Sequence, residues 1–172
     1  MKLLKTITHP DYPTPGIETH TREAARVVLV DEDGMIPMIY SRKYDVYKIP
    51  GWGIDEWEIP EIAAKREAIE EVWCSSEILW EIGEIIDNRP AYIYKKWVNL
   101  KQTSYCFYGK VLDKREPSLT QSEREREFEI IWCRADEILA RIDSCKPKTE
   151  REEISMKRDR IIFEEYLKLR DK

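Results

Sequence analysis

Few residues in this chain of 172 amino acids are suited to binding zinc or forming disulfides. It has two histidines and four cysteines, and no two cysteines have C-x-x-C spacing. This pattern argues against a zinc site and does not indicate a disulfide framework. A long apolar run is also missing near the N-terminus, so we expect no signal peptide and no membrane span. A reducing cytoplasm is the expected location.

The chain also lacks a surplus of positive charge. Asp and Glu number 34 against 29 Lys and Arg, which gives a formal net charge of -5. An acidic chain is a poor partner for bulk nucleic acid. Small phosphorylated ligands are not excluded, because a bound cation supplies positive charge locally. With 42% hydrophobic and 37% charged residues, the composition is typical of one soluble globular domain with its own core.

Three glutamates carry the strongest chemical signal in the sequence. Glu67, Glu70 and Glu71 are spaced i, i+3 and i+4, so a helix would bring them onto one face. Like charges at this spacing repel one another. A hard divalent cation reverses the sign of that interaction, because Mg²⁺ and Mn²⁺ prefer carboxylate oxygens. The pattern therefore predicts a helix that binds Mg²⁺ or Mn²⁺.

The remaining sequence predicts a mixture of strands and helices. Residues 1–20, which are rich in proline, are expected to form an irregular lead-in, and residues 21–172 a single domain that includes a C-terminal helix. Segments 25–30 and 35–40 flank an Asp-Glu-Asp-Gly turn and predict a β-hairpin. Other strands are expected at 44–49, 78–86, 91–97, 103–112 and 127–132. A polar loop is expected at 114–127, and helices at 60–72, 135–142 and 150–170.

The helix predicted at 60–72 has an acidic and an apolar side. When Glu67 is placed at the front of a helical wheel, Ile62, Ile69 and Val72 lie behind it and are expected to pack into the core. Ala63 and Ala64 then fall on the acidic side. Their small side chains would leave room for a ligand above the metal.

Residues 50–74 resemble the Nudix box. That motif reads Gly, five residues, Glu, seven residues, Arg-Glu, an aliphatic residue, any residue, Glu-Glu, any residue, Gly and an aliphatic residue. Glu58 matches the first glutamate, and Arg66 follows in the correct register. Glutamates 67, 70 and 71 complete the acidic part. Tryptophan stands where glycine is expected at three positions, namely Trp52, Trp57 and Trp73.

The resemblance implies an α/β protein with the Nudix-type α/β/α sandwich and a mixed sheet. It also implies a hydrolase of the pyrophosphate link in a nucleoside diphosphate derivative, with Mg²⁺ or Mn²⁺ as cofactor. The implied partner is a small phosphorylated nucleotide-type substrate. The metal ligands that it implies are Glu67, Glu70, Glu71, Glu58 and the carbonyl of Gly51. The expected catalytic residues are Glu70, Glu71 and Arg66, and Arg66 would orient the glutamates.

Other residues are candidate ligands on weaker grounds. Aromatic and arginine side chains can stack on a base or bind phosphate, and the candidates near the box are Arg26, Arg42, Tyr44 and Tyr47. Strand packing and surface charge explain these residues more simply. Family members use either a box glutamate or an acid on a later loop as general base, and the loop candidates are Glu123, Glu125 and Glu127. A solvated run of charge is the simpler explanation for each.

The three tryptophans leave two further functions open. A bulky indole beside Gly51 can fill the space for a phosphate, which favours a Nudix-fold module that binds a nucleotide but hydrolyses it slowly or not at all. Tryptophan is also enriched at binding hot spots, which favours a protein-interaction domain. The sequence names neither the nucleotide nor the oligomeric state, and a homodimer is one alternative.

Trp73 raises a separate question about the end of the predicted helix. A glycine at this position would supply a left-handed cap. A residue with a Cβ adopts that conformation at a cost of about 1–2 kcal/mol. Trp73 is therefore expected either to accept this strain or to extend the helix.

Overall fold

The computed structural model describes residues 1–95, 97–115 and 127–171. Within them the chain forms seven strands and four helices. The strands are β1 (Leu3–Thr8), β2 (Thr19–Val30), β3 (Met35–Ser41), β4 (Val46–Lys48), β5 (Cys74–Arg89), β6 (Asn99–Lys114) and β7 (Phe128–Arg134). The helices are α1 (Pro60–Val72), α2 (Ala91–Tyr94), α3 (Ala135–Ser144) and α4 (Glu150–Arg170).

The strands divide into two sheets. Four of them lie in the order β1-β5-β6-β2, with β1 parallel to β5, β5 antiparallel to β6, and β6 parallel to β2. The other three form an antiparallel sheet in the order β4-β3-β7. Helix α1 packs against β2 and β5, whereas α4 packs against β5 and β4. The predicted α/β class with a mixed sheet is confirmed.

Helix α1 faces the core with its smallest side chains. Ala63, Ala64 and Ala68 are fully buried and pack against β2. Small side chains let the helix backbone come close to the sheet, and protein interiors leave few voids. Val72 is buried as predicted. The predicted orientation is wrong for Ile62, which is 54% exposed, and for Ala63 and Ala64, which pack in the core and do not lie beside the ligand space. Glu67 lies on the same side of the helix as these alanines and is buried with them.

The N-terminal residues are more regular than predicted. Leu3–Thr8 form β1, which pairs in parallel with residues 84–88 of β5. The expectation of an irregular lead-in is therefore wrong for this segment. The cause is that the proline-rich stretch begins only after the strand has ended, so it does not disturb the pairing.

Two predicted local structures are also wrong. The segments at 25–30 and 35–40 do not pair with each other, because β2 pairs with β6 whereas β3 pairs with β4 and β7. Their turn therefore joins two sheets. Residues 91–94 form α2 where a strand was expected. Pro90 precedes this helical turn, and the side chains of Asn99 and Thr14 accept the backbone N–H of Ala91, each at 3.1 Å.

The other predicted elements are present with shifted ends. Helix α1 has the predicted bounds, α4 matches 150–170, and α3 continues two residues beyond the predicted end at 142. Strands β5 and β6 are longer than predicted, at 16 residues each. Most of the loop predicted at 114–127 lies outside the described residues. None of the helices in the described ranges is long and apolar enough to cross a membrane.

Candidate active site

The loop after β4 is held against β2 by its backbone. The N–H of Ala25 donates to the Trp52 carbonyl at 3.0 Å, and the N–H of Val27 donates to the Pro50 carbonyl at 3.1 Å. Between these contacts Gly51 has a φ of +142°, and a Cβ there would lie 2.1 Å from the Ala25 carbonyl oxygen. Only glycine fits so close an approach. Gly51 therefore fixes the loop beside β2.

The Gly51 residue joins α1 to β2 through its own polar groups. Its N–H donates to Glu71 Oε2 at 2.6 Å. Its carbonyl accepts from Arg26 Nη1 at 2.7 Å in a buried contact. A carboxylate and a guanidinium from different elements are thus held on either side of one glycine.

Arg66 is the centre of the charge network on α1. Its Nε and Nη2 donate to the two carboxylate oxygens of Glu58, at 3.0 and 2.9 Å. Nη1 donates to Glu67 and, at 3.2 Å, to Glu70, while Nη2 also donates to the Gly53 carbonyl at 3.1 Å. The hydrogen bonds with Glu58 raise the pKa of Arg66 and lower that of Glu58. Arg66 thus lies where it can orient the glutamates.

Glu67 is a carboxylate of this group with a strongly raised pKa. Glu67 is only 3% exposed to solvent. Burial, followed by the negative charge of Glu71, raises the pKa of Glu67 to about 7, although the hydrogen bond from Arg66 acts in the opposite direction. Ionising this carboxylate is costly because it is buried beside a second one. Such an arrangement indicates a site where a bound cation would compensate the negative charge.

These carboxylates form part of the wall of a cleft of about 770 Å³. Glu67, Glu70 and Glu71 line it from α1, which we call the acidic helix from here on. Basic side chains from other elements line the same cleft, namely Arg22, Arg26, Lys48, Arg89, Arg151 and Arg158. A cleft with acidic and basic parts suits a ligand that carries phosphates and a cation.

The three tryptophans occupy different surroundings. Trp52 lines the cleft, is 45% exposed, and has the guanidinium carbon of Arg22 4.7 Å from its ring centroid. Trp73 also lines the cleft and caps α1 in the left-handed conformation with φ 52°. It accepts the strain rather than extending the helix. Trp57 has φ 71°, is 94% exposed, and is not among the residues that line the cleft.

The family model of the NUDIX domain matches residues 20–152, which include the acidic helix, the Gly51 loop and most of both sheets. The chain belongs to the NUDIX domain family. Membership confirms the family that the box predicted and the enzyme class, a pyrophosphohydrolase. The α/β/α sandwich expected from the resemblance is thereby confirmed as well.

Solved Nudix structures have the same fold at low sequence identity. A MutT protein from Methanosarcina mazei Go1 has a TM-score of 0.58 at 14% identity, over 91% of this chain and 100% of its own. A NUDIX hydrolase from Nitrosomonas europaea has a TM-score of 0.57 at 17% identity, over 87% and 90%. A UDP-X diphosphatase has a TM-score of 0.56 at 14% identity, over 91% and 68%. No curated protein matches the chain significantly.

Nudix proteins generally use divalent metal ions, and the donor set of this chain fits one chemically. The fit rests on Glu67, a buried carboxylate whose pKa is raised beside Glu71. In the described ranges, no group of three or more His, Cys, Asp or Glu side chains is arranged around one point to hold an ion. Arg66 engages three of the glutamates, so an ion would compete with its guanidinium for the same oxygens.

The other candidate residues are spread over the molecule. Arg26 lies in the cleft, but Arg42, Tyr44 and Tyr47 are not among the described residues that line it. Arg42 pairs with Glu129, and Tyr47 accepts from Arg141 at 3.3 Å and packs on Tyr40. Of the loop acids, Glu123 and Glu125 lie outside the described residues. Glu127 lies just before β7 with φ 52°. Roles for all of these remain predictions.

Apart from Arg26, sequence reasoning missed the basic residues of the cleft. Arg89 lies at the end of β5, and Arg158 lies in α4 among apolar residues at helical spacing. An arginine on the apolar side of a helix is rarely buried without a partner. This was the available signal for Arg158, whereas nothing in the sequence marks Arg89.

We expect Glu67→Gln to change how stability depends on pH. The pKa of Glu67 rises in the fold from its ordinary value of 4.5 to about 7. Protonation of Glu67 therefore favours the folded state fully below about pH 4.5, and this contribution is lost as pH rises through 7. Without divalent metal, the unfolding free energy of the variant relative to wild type should increase by about 1–3 kcal/mol between pH 5 and pH 8.

Urea unfolding at the two pH values measures this difference. The matched control is Glu61→Gln, which removes the same charge from an exposed position on α1 that pairs with Lys65. Mn²⁺ should then stabilise wild type more than Glu67→Gln, because an amide is a poorer ligand than a carboxylate. If the difference between Glu67→Gln and wild type is the same at both pH values, Glu67 ionises in the fold at no cost.

Proposed function

We propose that this Nudix protein hydrolyses the pyrophosphate link of nucleoside diphosphate derivatives in a reaction that depends on Mg²⁺ or Mn²⁺. The main support is Glu67, a buried carboxylate with a raised pKa, beside Glu71, whose carboxylate accepts the N–H of Gly51. A divalent ion would make both ionised forms favourable. A bound ion of this kind neutralises phosphate charge and lowers the pKa of a water.

Each residue has a proposed role. Glu67, Glu70 and Glu71 would hold the metal, with Glu58 as a further or water-mediated ligand. Gly51 offers a carbonyl with one lone pair left after the contact from Arg26. Arg66 is a positioning residue, because its contacts run to the glutamates and to the backbone. The general base stays open between the box glutamates and the loop acids.

A nucleotide panel tests the proposal. Nucleoside triphosphates, dinucleoside polyphosphates and nucleotide sugars are incubated with Mg²⁺ or Mn²⁺, and phosphate is measured after a coupled phosphatase. We expect release with at least one class, and none when a chelator is present. In ¹⁸O-labelled water, the label should enter a phosphate product, since attack occurs at phosphorus. Label found only in a sugar or base product would contradict this reaction.

A binding module is the second candidate, and the position of Trp52 favours it. This indole lines the cleft beside Gly51. If it fills the space of a phosphate, the protein binds nucleotides and turns them over slowly. A nucleotide that raises the melting temperature without releasing phosphate would support this candidate over hydrolysis.

A further inference from the structure

Three arginines and two aspartates are buried together beside the cleft. The exposed fractions are 7% for Arg26, 4% for Arg89 and 3% for Arg158, while Asp87 and Asp159 are at 0%. The three arginines line the cleft, and we call them the arginine cluster. They come from β2, β5 and α4, so the fold, and no local motif, brings them together.

The two aspartates pair with two of the arginines. Arg89 Nε donates to Asp87 Oδ1 at 2.6 Å. Arg158 Nη2 lies 2.7 Å from Asp159 Oδ1, and its Nη1 lies 3.8 Å from Asp87 Oδ2. The two buried carboxylates thus pair with Arg89 and Arg158, and the charges of Asp159 and Glu71 also act on Arg26. Burial of an uncompensated charge is costly, so a surplus cation on a cleft wall indicates that an anion binds there.

Arg26 is the arginine of the cluster that has a buried donor without a hydrogen-bond partner among the described residues. Its Nη1 donates to the Gly51 carbonyl, but its Nε is buried and has no hydrogen-bond partner among the described residues. Burial, followed by the charge of Arg158, lowers the pKa of Arg26 to about 10, so the side chain is still cationic at neutral pH. A buried donor without an acceptor costs about 1–3 kcal/mol. A ligand oxygen in the cleft would remove that cost.

The surroundings of the cluster favour a phosphate. A guanidinium presents planar donors that match two phosphate oxygens at once. Gln102 and Ser155 line the same cleft and add neutral hydrogen-bonding groups. Lys48 also lines it, and burial lowers the pKa of its amine, which indicates another cation that water solvates poorly. A neutral sugar placed here would leave the surplus charge uncompensated.

The same residues also stabilise the fold, and this role explains only part of the cluster. Asp159 Oδ2 accepts the backbone N–H of Ile49 at 3.1 Å, which ties α4 to the end of β4. The amide of Gln102 lies 3.4 Å from Asp87 Oδ2. These contacts account for the aspartates and for Arg158. They leave without a structural use the buried Nε of Arg26, which has no hydrogen-bond partner among the described residues.

We propose that the arginine cluster binds a phosphate group of the substrate that lies beyond the phosphate held at the acidic helix. Arg26 and Glu71 contact the same glycine, Gly51, so the cluster and the acidic helix are neighbours in the cleft. The inference rests on the proposed function, since it names the substrate class of the same site. That class is nucleotides with three or more phosphates in line, in preference to nucleotide sugars.

Binding of inorganic phosphate tests the cluster without any catalysis. The full chain is titrated with phosphate in a chelator, at an ionic strength held constant with chloride, by isothermal titration calorimetry. We expect wild type to bind with a Kd of about 1 mM, the affinity of a weak single-ion site. Arg89→Gln should weaken binding at least tenfold, and Asp87→Asn should tighten it because a competing carboxylate is lost. Absence of binding by wild type would overturn the inference.

A matched variant controls for the loss of one positive charge. Arg134→Gln removes a cation that is exposed, pairs with Asp136 on the surface, and is not among the residues that line the cleft. It should bind phosphate as wild type does. Thermal melts show whether the variants are folded. If Arg89→Gln is unfolded, Arg89→Lys and Asp87→Asn still decide the matter, since the first should weaken binding moderately and the second should strengthen it.

The substrate preference is tested by kcat/KM for a nucleoside triphosphate and a nucleotide sugar. Wild type should prefer the triphosphate. Arg89→Gln should lower kcat/KM at least tenfold for the triphosphate and less than twofold for the sugar conjugate, with partial rescue by Arg89→Lys. Equal losses for both substrates would show that Arg89 is only structural and would overturn the inference. If wild type hydrolyses neither, the proposed function fails, and phosphate binding still decides whether the cluster is an anion site.

Discussion

Glu71→Gln is expected to lower turnover at least about a hundredfold while the fold stays intact. A neutral amide is a much poorer ligand for Mg²⁺ than a carboxylate, and even residues one shell further from a metal change activity 10- to 100-fold. The amide oxygen of Gln can still accept the N–H of Gly51, which Glu71 now accepts at 2.6 Å. The loop position should therefore survive the change. Phosphate release at saturating metal measures the effect.

Glu70→Gln is a second test on the same helix. Glu70 has a half-exposed side chain that accepts from Arg66 at 3.2 Å, so its replacement should not disturb the core. The control is again Glu61→Gln, which should keep wild-type turnover. Wild-type activity in Glu71→Gln or Glu70→Gln would remove that residue from the proposed metal site. Loss of activity together with a lowered melting temperature would instead indicate unfolding.

Replacing the three box tryptophans with glycine is expected to raise activity more than tenfold, with the largest single gain from Trp52→Gly. Trp52 lines the cleft beside Gly51, and its ring lies 4.7 Å from the guanidinium carbon of Arg22. Removing the indole would open space for phosphate and free the arginine. Trp52 is not in a left-handed conformation, so Trp52→Ala should give most of the same gain. Steady-state kinetics on each variant measures this.

Trp57→Gly is the matched control for this series. Trp57 is 94% exposed and is not among the described residues that line the cleft, so its replacement should leave turnover within about twofold. It should increase the unfolding free energy by about 1 kcal/mol, because a φ of 71° strains any residue that has a Cβ. A triple variant no more active than the starting protein would show that the cleft accommodates the tryptophans.

The sequence predicted the acidic helix well and its orientation poorly. Its bounds follow from Pro60 at the first turn and from the register of the box. The helical wheel places Ala63 and Ala64 on the side of Glu67, and the error was to assign that side to the ligand because it carries glutamates. In the structure the side with small side chains packs closely against β2, and Glu67 is buried on that side as well. A wheel drawn for one helix contains no information about the distance to its neighbour.

Contacts between distant segments were beyond the reach of local patterns. The turn at 31–34 is readable, but β2 pairs with β6, as in Thr19 with Asn99 and Val30 with Lys110, and nothing near the turn specifies so distant a partner. For the same reason the sequence predicted only Arg26 of the arginine cluster. Arg26, Arg89 and Arg158 are separated by more than sixty positions each, and only the packing of α4 on the sheet brings them to one cleft.

The first eight residues have a practical meaning for anyone who shortens this protein. The sequence suggests a dispensable tail, yet β1 is the edge strand of the four-stranded sheet and pairs with residues 84–88 of β5. Short edge strands that carry lysine, as β1 does at Lys5, hinder the pairing of other chains with the edge of a sheet. A recombinant version that begins at residue 21, the predicted start of the domain, would lack β1 and would expose the unpaired edge of the longer strand β5. Self-association and poor solubility would then be mistaken for properties of the enzyme.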